Sequence, residues 1–193
     1  MDMDFSNLFS VAGKTVVITG GSRGIGEMIA AGFLANGAKV IISSRKADAC
    51  EETVERLKAK YGGEIYAIPS DVGQMVGIEH LANTLAEREE KVDVLVNNAG
   101  VMRQAGVEEM STVDWAHDMA VNLTAPFLMI RAALPHLRVA RGSIVNIGSI
   151  EGLGSNPGHA SYCASKAGLH GLTRAVAIDH GGDGVRCNAV APG

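Results

Sequence analysis

The sequence predicts an α/β chain built on a doubly wound parallel sheet, and three observations carry that reading. Short β-rich apolar runs alternate with helical patterns along the chain. Several runs, such as Val16-Val17-Ile18 and Val40-Ile41-Ile42, are apolar at successive positions, as strands buried on both faces must be. Glycine is abundant at 24 of 193 residues and aromatic residues are scarce at 4%, which suits a chain with many tight strand-to-helix turns.

Thr15 to Thr19 is the first strand, followed by a glycine turn and a helix from about Gly24 to Asn36. Gly37 stops that helix, because glycine takes the left-handed conformation at no steric cost. Val40 to Ile42 is the second strand, with a helix from Ala47 to Lys60. Ile65 to Ile68 is the third, closed by Pro69, with a helix from about Val76 to Glu89. Val92 to Val96 is the fourth. The long helical stretch after it, about Val113 to Leu137, is expected to be interrupted at Pro126 and Pro135. Ser143 to Ile147 is the fifth strand, Ser161 to about Ile178 the next helix, and Val185 to Val190 the sixth strand. No repeat, linker or low-complexity segment divides residues 1–193, so a single domain is expected. The last strand runs straight into Ala191-Pro192-Gly193. An apolar strand left there as an open edge is a hazard, so the chain is expected to be C-terminally shortened.

Composition narrows the functions. Hydrophobic residues at 47% and charged residues at 20% describe a globular chain. A net charge of −4 argues against nucleic-acid binding, because little here would release phosphate counterions. The 3 cysteines, Cys50, Cys163 and Cys187, form no C-x-x-C pair, which fits a reducing compartment. The acidic start Met1-Asp2-Met3-Asp4 has neither the basic nor the apolar region of a signal peptide, and no apolar stretch is long enough to span a bilayer. A soluble, cytoplasmic protein without membrane contact is expected. The 6 histidines include no H-E-x-x-H and no clustered spacing, so no metal is expected. Cys163 reads as a small packing residue and His159 as a loop residue at the surface.

The first functional candidate is Thr19-Gly20-Gly21-Ser22-Arg23-Gly24-Ile25-Gly26, between a strand and a helix, where a dinucleotide-binding turn belongs. Gly20 lets the chain turn, Gly24 lets the backbone approach a pyrophosphate, and Gly26 lets the helix pack closely. The free N–H groups and partial positive charge of the helix start favour phosphate. The spacing is G-x-x-x-G-x-G rather than G-x-G-x-x-G, so a tight turn without a ligand competes with this reading. After the second strand comes Ser43-Ser44-Arg45-Lys46, with no acid to hold a ribose 2′-OH. Together with Arg23 these bases favour a 2′-phosphate, hence NADPH, although Arg45 and Lys46 can equally be solvated at a helix start.

The second candidate is Tyr162-Cys163-Ala164-Ser165-Lys166, which places Tyr162 and Lys166 four apart on one helix face. A free tyrosine, with a pKa of about 10, is too weak an acid for neutral pH, and a neighbouring ammonium favours its phenolate. Ser149, just past the fifth strand, lies at the carboxyl edge where open α/β sheets bind ligands, placed to bond a substrate carbonyl beside Tyr162. Alone, such a Tyr/Lys pair is an ordinary surface pair; in one sheet with a dinucleotide turn it reads as an acid/base.

With these residues in view, the chain resembles the short-chain dehydrogenase/reductase family in its shorter branch. Thr19 to Gly26 matches the T-G-x-x-x-G-I-G turn, Asn97-Asn98-Ala99-Gly100 the N-N-A-G motif, Tyr162 to Lys166 the Y-x-x-S-K motif and Pro192-Gly193 the P-G after the sixth strand. The resemblance implies a Rossmann-type sheet, with Tyr162 as proton donor and Ser149 polarising the carbonyl. Lys166 would bind the nicotinamide ribose, and Asn122, in Val121-Asn122-Leu123, would hold a relay water. It implies cofactor contacts at Gly20, Gly21, Ser22, Arg23, Gly24, Ile25 and Gly26, at Ser44 and Arg45, and at Asp71 and Val72 on the adenine. Asn98, Ala99, Gly100, Tyr162, Lys166, Pro192 and Gly193 complete the set. Gly148 departs from a serine common before the catalytic one, and a substrate loop and seventh strand would follow Gly193.

The implied reaction is NADPH-dependent reduction of a ketone to a secondary alcohol. The stretches Phe9 to Lys14, Gly21 to Arg23 and Glu27 to Ala30 resemble 3-oxoacyl reductases of the rhamnolipid type, which implies a 3-oxoacyl thioester, and an acyl carrier protein as partner. Arg138 and Arg141 are candidates for carrier docking, against which stands the acid Asp183. Sugar, polyol and steroid ketones remain open, as does a shortened, non-catalytic NADP-binding subunit. The resemblance also implies a homo-oligomer formed through the long helices.

Overall fold

A computed structural model describes residues 9–193; the acidic start Met1 to Asp4 lies outside the described residues. The described strands are β1 (Thr15–Thr19), β2 (Lys39–Ser43), β3 (Ile65–Ala67), β4 (Val94–Asn97), β5 (Ser143–Ile147) and β6 (Arg186–Val190). They form one parallel 6-stranded sheet in the order β3-β2-β1-β4-β5-β6. The helices are α1 (Gly24–Ala35), α2 (Ala47–Tyr61), α3 (Met75–Arg88), α4 (Thr112–Met119), α5 (Ala125–Ala140) and α6 (Ala160–His180). This is the doubly wound Rossmann-type architecture that the apolar runs predict.

Alternation along the strands divides the core between the two faces. Val16, Ile18, Val40 and Ile42 pack with Ala30, Leu34 and Leu57 from α1 and α2. Val17, Ile41 and Leu95 pack with Leu81 and Leu85 of α3, Met129 and Leu137 of α5 and Val176 of α6. Both faces of the central strands are therefore dry, which is why those strands carry no polar alternation. The chain winds outward from β1 to β3 and returns to β4, so the strand order reverses between β1 and β4. A crevice opens at such a reversal, beyond the carboxyl ends of the strands.

Three expectations need correction. The fourth strand begins at Val94 rather than Val92, because the Asp93 carboxylate accepts the Thr15 N–H at 3.0 Å and meets Lys14 at 3.2 Å, capping the entry to β1. The third strand ends at Ala67, although the Ile68 N–H still bonds Ile42 before Pro69 ends donation. The long helical stretch is not broken at its prolines. Pro126 has no N–H for the Asn122 carbonyl, and the helix widens there into a π-helical turn, Ala120–Thr124, before running on as α5. Pro135 lies on the exposed side of α5, where water can take over the Arg131 carbonyl it leaves unbonded. No helix among the described residues is long and apolar enough to cross a membrane.

Candidate active site

The crevice at the reversal holds a cleft of about 330 Å³, lined by the glycine turn, by Ser43 at the end of β2 with Ser44 and Arg45 after it, by Ser70, Asp71 and Val72 after β3, and by Asn98 to Val101 after β4. Gly20 turns with φ +67, and a Cβ there would stand 2.8 Å from Asn98 Nδ2 and 2.9 Å from the Ala99 Cα. At Gly26 a Cβ would run into the Gly20 carbonyl oxygen and stand 2.5 Å from Asn98 Nδ2. Asn98 ties the turn together by donating to the carbonyls of Thr19 at 3.0 Å and Gly20 at 3.1 Å. Thr19 Oγ1 in return accepts the N–H groups of Asn98 and Ala99, both at 3.1 Å. Asn98 is thus a brace as well as a lining residue, a role the motif does not reveal.

Several features of the cleft suit an anionic ligand. Arg23, extended at the start of α1, offers no side-chain cap, so the first N–H groups of that helix are free for phosphate. Gly24, with φ +57, would find open space around a Cβ, which leaves its backbone accessible. Arg23 and Arg45 are exposed at the rim and no acid pairs with them among the described residues. Ser43 Oγ and Ser70 Oγ are buried beside the cleft with no hydrogen-bond partner there. Free donors, bare backbone and two guanidinium groups fit a dinucleotide carrying an extra phosphate. Ser22, Ile25, Ser44, Asp71, Val72, Ala99 and Gly100 line the cleft as the motifs imply, while Ser43, Ser70, Val101 and Val121 are lining residues no motif named. Gly21 does not line it; its Cα faces β2, where a Cβ would stand 2.7 Å from Ile42 Cβ.

The second group lies at the end of this cleft. Lys166 is 3% exposed; its Nζ donates to the Ile147 carbonyl at 2.7 Å and stands 5.6 Å from the centre of the Tyr162 ring. Burial lowers its pKa to about 8, because the charged ammonium loses hydration. A Cβ on Gly100 would stand 3.7 Å from Lys166 Nζ and 3.5 Å from Asn122 Oδ1, so the cleft's far wall touches both. Asn122 sits in the π-helical turn. Its amide donates to the Val101 carbonyl at 2.8 Å and to Ser165 Oγ at 3.0 Å, and accepts the Val101 N–H at 2.8 Å. The side chain is therefore spent on the loop after β4, and Pro126 leaves the Asn122 carbonyl without its usual helical donor. Ser149 follows β5, buried, with Oγ accepting the Glu151 N–H at 3.1 Å. Pro192 accepts the Ile150 N–H at 3.0 Å and Gly193 lies against Ile150, so both stand beside the Ser149 turn rather than along the cleft.

Other residues were invisible to motif reading. Glu151 accepts from Asn156 N at 3.1 Å, from the Asn156 amide and from Cys163 Sγ at 3.1 Å, and stands 3.4 Å from His159 Nδ1. This clip ties the turn after Ser149 to the start of α6, so Cys163 and His159 are working parts of a loop rather than filler and bystander. A spacing rule between the two catalytic motifs could have pointed to Glu151; no local signal could. Arg138 and Arg141 correct the docking expectation. They lie at the amino end of β5, at the opposite edge from Ser149, and Arg138 is taken up by Asp183 at 2.8 Å. A carrier docked there would sit at the end of the sheet away from Ser149.

Comparison with known proteins accords with this arrangement. The sequence pattern of the family described as short chain dehydrogenase matches residues 14–193. The chain is 43% identical over 180 residues to meso-2,3-butanediol dehydrogenase of Serratia marcescens, covering 93% of this chain and 70% of that one. It is 41% identical over 191 residues to the rhamnolipids biosynthesis 3-oxoacyl-[acyl-carrier-protein] reductase of Pseudomonas aeruginosa, covering 96% and 74%. The solved Pseudomonas aeruginosa RhlG/NADP active-site complex superposes with a TM-score of 0.90 at 41% identity, covering 96% of this chain and 74% of that one. A family pattern over nearly the whole chain, with an arrangement of cleft, tyrosine and lysine to match, leads to one conclusion: the chain belongs to the short chain dehydrogenase family and is a short-chain oxidoreductase.

Proposed function

We propose that this chain carries out NADPH-dependent reduction of a ketone to a secondary alcohol, and that the ketone is a 3-oxoacyl thioester. The observation that carries the reading is the Lys166–Ile147 bond. It fixes the ammonium against the Tyr162 ring at the end of a cleft whose rim is basic. Arg23 and Arg45 would hold the 2′-phosphate, the free N–H groups of α1 the pyrophosphate, and Ser43, Ser70, Asp71 and Val72 the adenosine end. The bound nicotinamide supplies the hydride for the carbonyl carbon. Ser149 Oγ, which already accepts from Glu151 N, keeps its own proton to donate to the carbonyl oxygen. Tyr162 protonates the same oxygen, and the nearby ammonium of Lys166 stabilises the phenolate left behind. Asn122 keeps Val101 and Ser165 in register around these groups.

The thioester reading draws on the surroundings of Ser149. Ile150 and Leu153, in the turn that follows it, are 51% and 78% exposed, an apolar margin suited to an acyl chain. The identity with the rhamnolipid 3-oxoacyl reductase supports the same reading. Oxidation of a small polyol is the second reading, favoured by the identity with the butanediol dehydrogenase. Copies of the chain are also proposed to associate, through the exposed Val113, Trp115 and Phe127 on α4 and α5.

Fluorescence titration and calorimetry with NADPH and NADH test the cofactor, and a homologous series of 3-oxoacyl thioesters tests the substrate. NADPH is expected to bind at least about tenfold more tightly, and Arg23→Ala with Arg45→Ala to erase that preference while leaving NADH affinity nearly unchanged. Reduction is expected to improve with acyl length. Equal affinity for both nucleotides would refute the 2′-phosphate assignment, and a preference for short diols over every thioester would install the second reading.

A further inference from the structure

We propose that His170 is the positioning residue for Ser149, acting by the volume of its ring rather than by its charge or hydrogen bonds. The inference rests on the reading of Ser149 as a catalytic hydroxyl and goes beyond it by naming what sets that hydroxyl's place. Ser149, Ile150 and Glu151 lie between Gly148 and Gly152, with Ser149 capping a 3₁₀ turn over Ile150–Gly152. Both flanking glycines abut the same imidazole. A Cβ on Gly148 would overlap His170 Nε2 and stand 2.9 Å from Cδ2, and one on Gly152 would stand 2.9 Å from Cε1. The ring therefore fills the hollow that the two missing side chains leave, behind the turn that bears Ser149.

The same helical turn of α6 supplies the rest of the support. Lys166, one turn before His170, bonds the Ile147 carbonyl through Nζ, and its own backbone carbonyl carbon would stand 2.8 Å from a Cβ on Gly152. The segment Ile147–Gly152 is thus held at its entry by the lysine side chain and at its exit by the lysine backbone, with the His170 ring against both Gly148 and Gly152. Gly148 N also bonds Val190 at 2.7 Å and Ile150 N bonds Pro192 at 3.0 Å, so the end of β6 and the residues after it fix the turn by its backbone while the ring fills the hollow. One stretch of helix, residues 166–170, sets both the ammonium beside Tyr162 and the height of Ser149.

The chemistry of His170 points to shape. The residue is 8% exposed, and neither Nδ1 nor Nε2 has a hydrogen-bond partner among the described residues. A buried imidazole N–H without a partner costs stability, so an apolar residue of like volume should do the same job at no loss. Hydrogen bonding or proton transfer by His170 would predict the opposite.

The test is a set of substitutions in the full chain: His170→Ala, His170→Met, Gly148→Ser and the double Gly148→Ser/His170→Ala. Each is followed by NADPH titration, thermal unfolding, turnover of a 3-oxoacyl thioester and amide NMR of Ser149 and Gly152. His170→Ala is expected to lower kcat about tenfold and shift the Ser149 and Gly152 amides, with NADPH affinity within about twofold. Gly148→Ser alone, driving its side chain into the ring, is expected to cost more in both kcat and Tm. The double variant, in which the serine takes space the ring has vacated, should recover most of that loss, and His170→Met should match the parent in kcat and Tm. A double variant no better than Gly148→Ser, or Ser149 and Gly152 amides unmoved in His170→Ala, would overturn the inference. Loss of kcat in His170→Met with Tm retained would overturn the assignment to volume. Tyr162→Phe is the control for the underlying reading: if it keeps full turnover, the catalytic assignment fails, while the amide shifts and the Tm of the double variant still decide the part played by His170.

Discussion

The nucleotide half of the cleft and the catalytic half are made of different materials. The first is backbone: Gly20 and Gly26 are placed where a Cβ would strike the chain, and the donors proposed for phosphate are the uncapped N–H groups at the start of α1. The second is buried side chains: Lys166, Asn122 and Ser165 are held by partners from distant parts of the sequence, and Ser149 by the N–H of Glu151 in its own turn. A site made of backbone tolerates almost any neighbour but no added atom. A site made of side chains tolerates small additions but not the loss of a partner. Substitutions should therefore fail in opposite ways in the two halves.

The largest expected effect falls in the catalytic half. Tyr162→Phe and Lys166→Met should each lower turnover at least about a hundredfold with the fold retained, measured with saturating NADPH. Lys166→Met carries a second, thermodynamic signature. Burial holds the Lys166 ammonium at about 8, below the ordinary lysine value of 10.5. Between those values the unfolded chain binds a proton that the folded chain has released, so ν for the unfolded state is the larger and stability rises with pH. The cost of burying the charge is felt in full below about pH 8 and fades toward the ordinary lysine value. Relative to the parent chain, Lys166→Met should therefore be most favoured near pH 7 and lose that advantage by about pH 10, on top of a constant loss from the missing Ile147 bond. Urea unfolding at both pH values measures the gap. A gap that does not change with pH would mean the ammonium is hydrated, and the contrast between the two halves would lose its main support.

The same difference in materials explains what could be read in the sequence. The strands were legible because Val16-Val17-Ile18 and Val40-Ile41-Ile42 advertise burial on both faces, and the glycine turn because a backbone site leaves its mark as missing side chains at fixed spacing. Tyr162 and Lys166 share one helix face, so their pairing needed only a helical period. Partners brought in by tertiary structure were not legible. Glu151 meets Cys163, Asn98 meets Gly20 and His170 meets Gly148 across stretches with no common period. The prolines misled for a related reason. Pro126 alone suggests a break, yet a helix can answer a missing N–H by widening, and the π-helical turn that results carries Asn122 into the site. Arg138 and Arg141 misled because their nearness in sequence to β5 does not say which end of the strand they occupy.

The next effect is in the backbone half, where two glycines of one turn should separate. At Gly26 an alanine must displace the Gly20 carbonyl or the Asn98 amide, and the expected cost is about 3 kcal/mol of stability with nucleotide affinity falling alongside. At Gly24 a Cβ meets open space, and the only penalty in the empty chain is the left-handed φ of +57, about 1 kcal/mol. In the proposed complex that Cβ would project toward the phosphates. Gly24→Ala should thus lose affinity out of proportion to stability, and Gly26→Ala should lose both together. Denaturant unfolding with NADPH titration on the pair reads the split. Equal losses at the two positions would mean that conformational preference, not clearance, decides this turn.

The smallest effect concerns the two asparagines that brace the halves. Asn98 donates to the Thr19 and Gly20 carbonyls and so holds the glycine turn closed, while Asn122 clamps Val101 and Ser165 behind the tyrosine. Asn98 acts within the nucleotide half, whereas Asn122 joins the catalytic group to Val101 at the far end of the cleft wall. Removing either amide orphans carbonyl groups that lie close to the cleft, so the stability loss should be only about 1–2 kcal/mol in each case. Function should divide cleanly. Asn98→Ala should weaken NADPH binding about tenfold and leave kcat at saturating nucleotide within about twofold, and Asn122→Ala should do the reverse. The informative failure is a fall in kcat for Asn98→Ala. It would show that the glycine turn and the tyrosine helix are coupled through Ala99 and Gly100, and that the two halves, though built of different materials, move as one body.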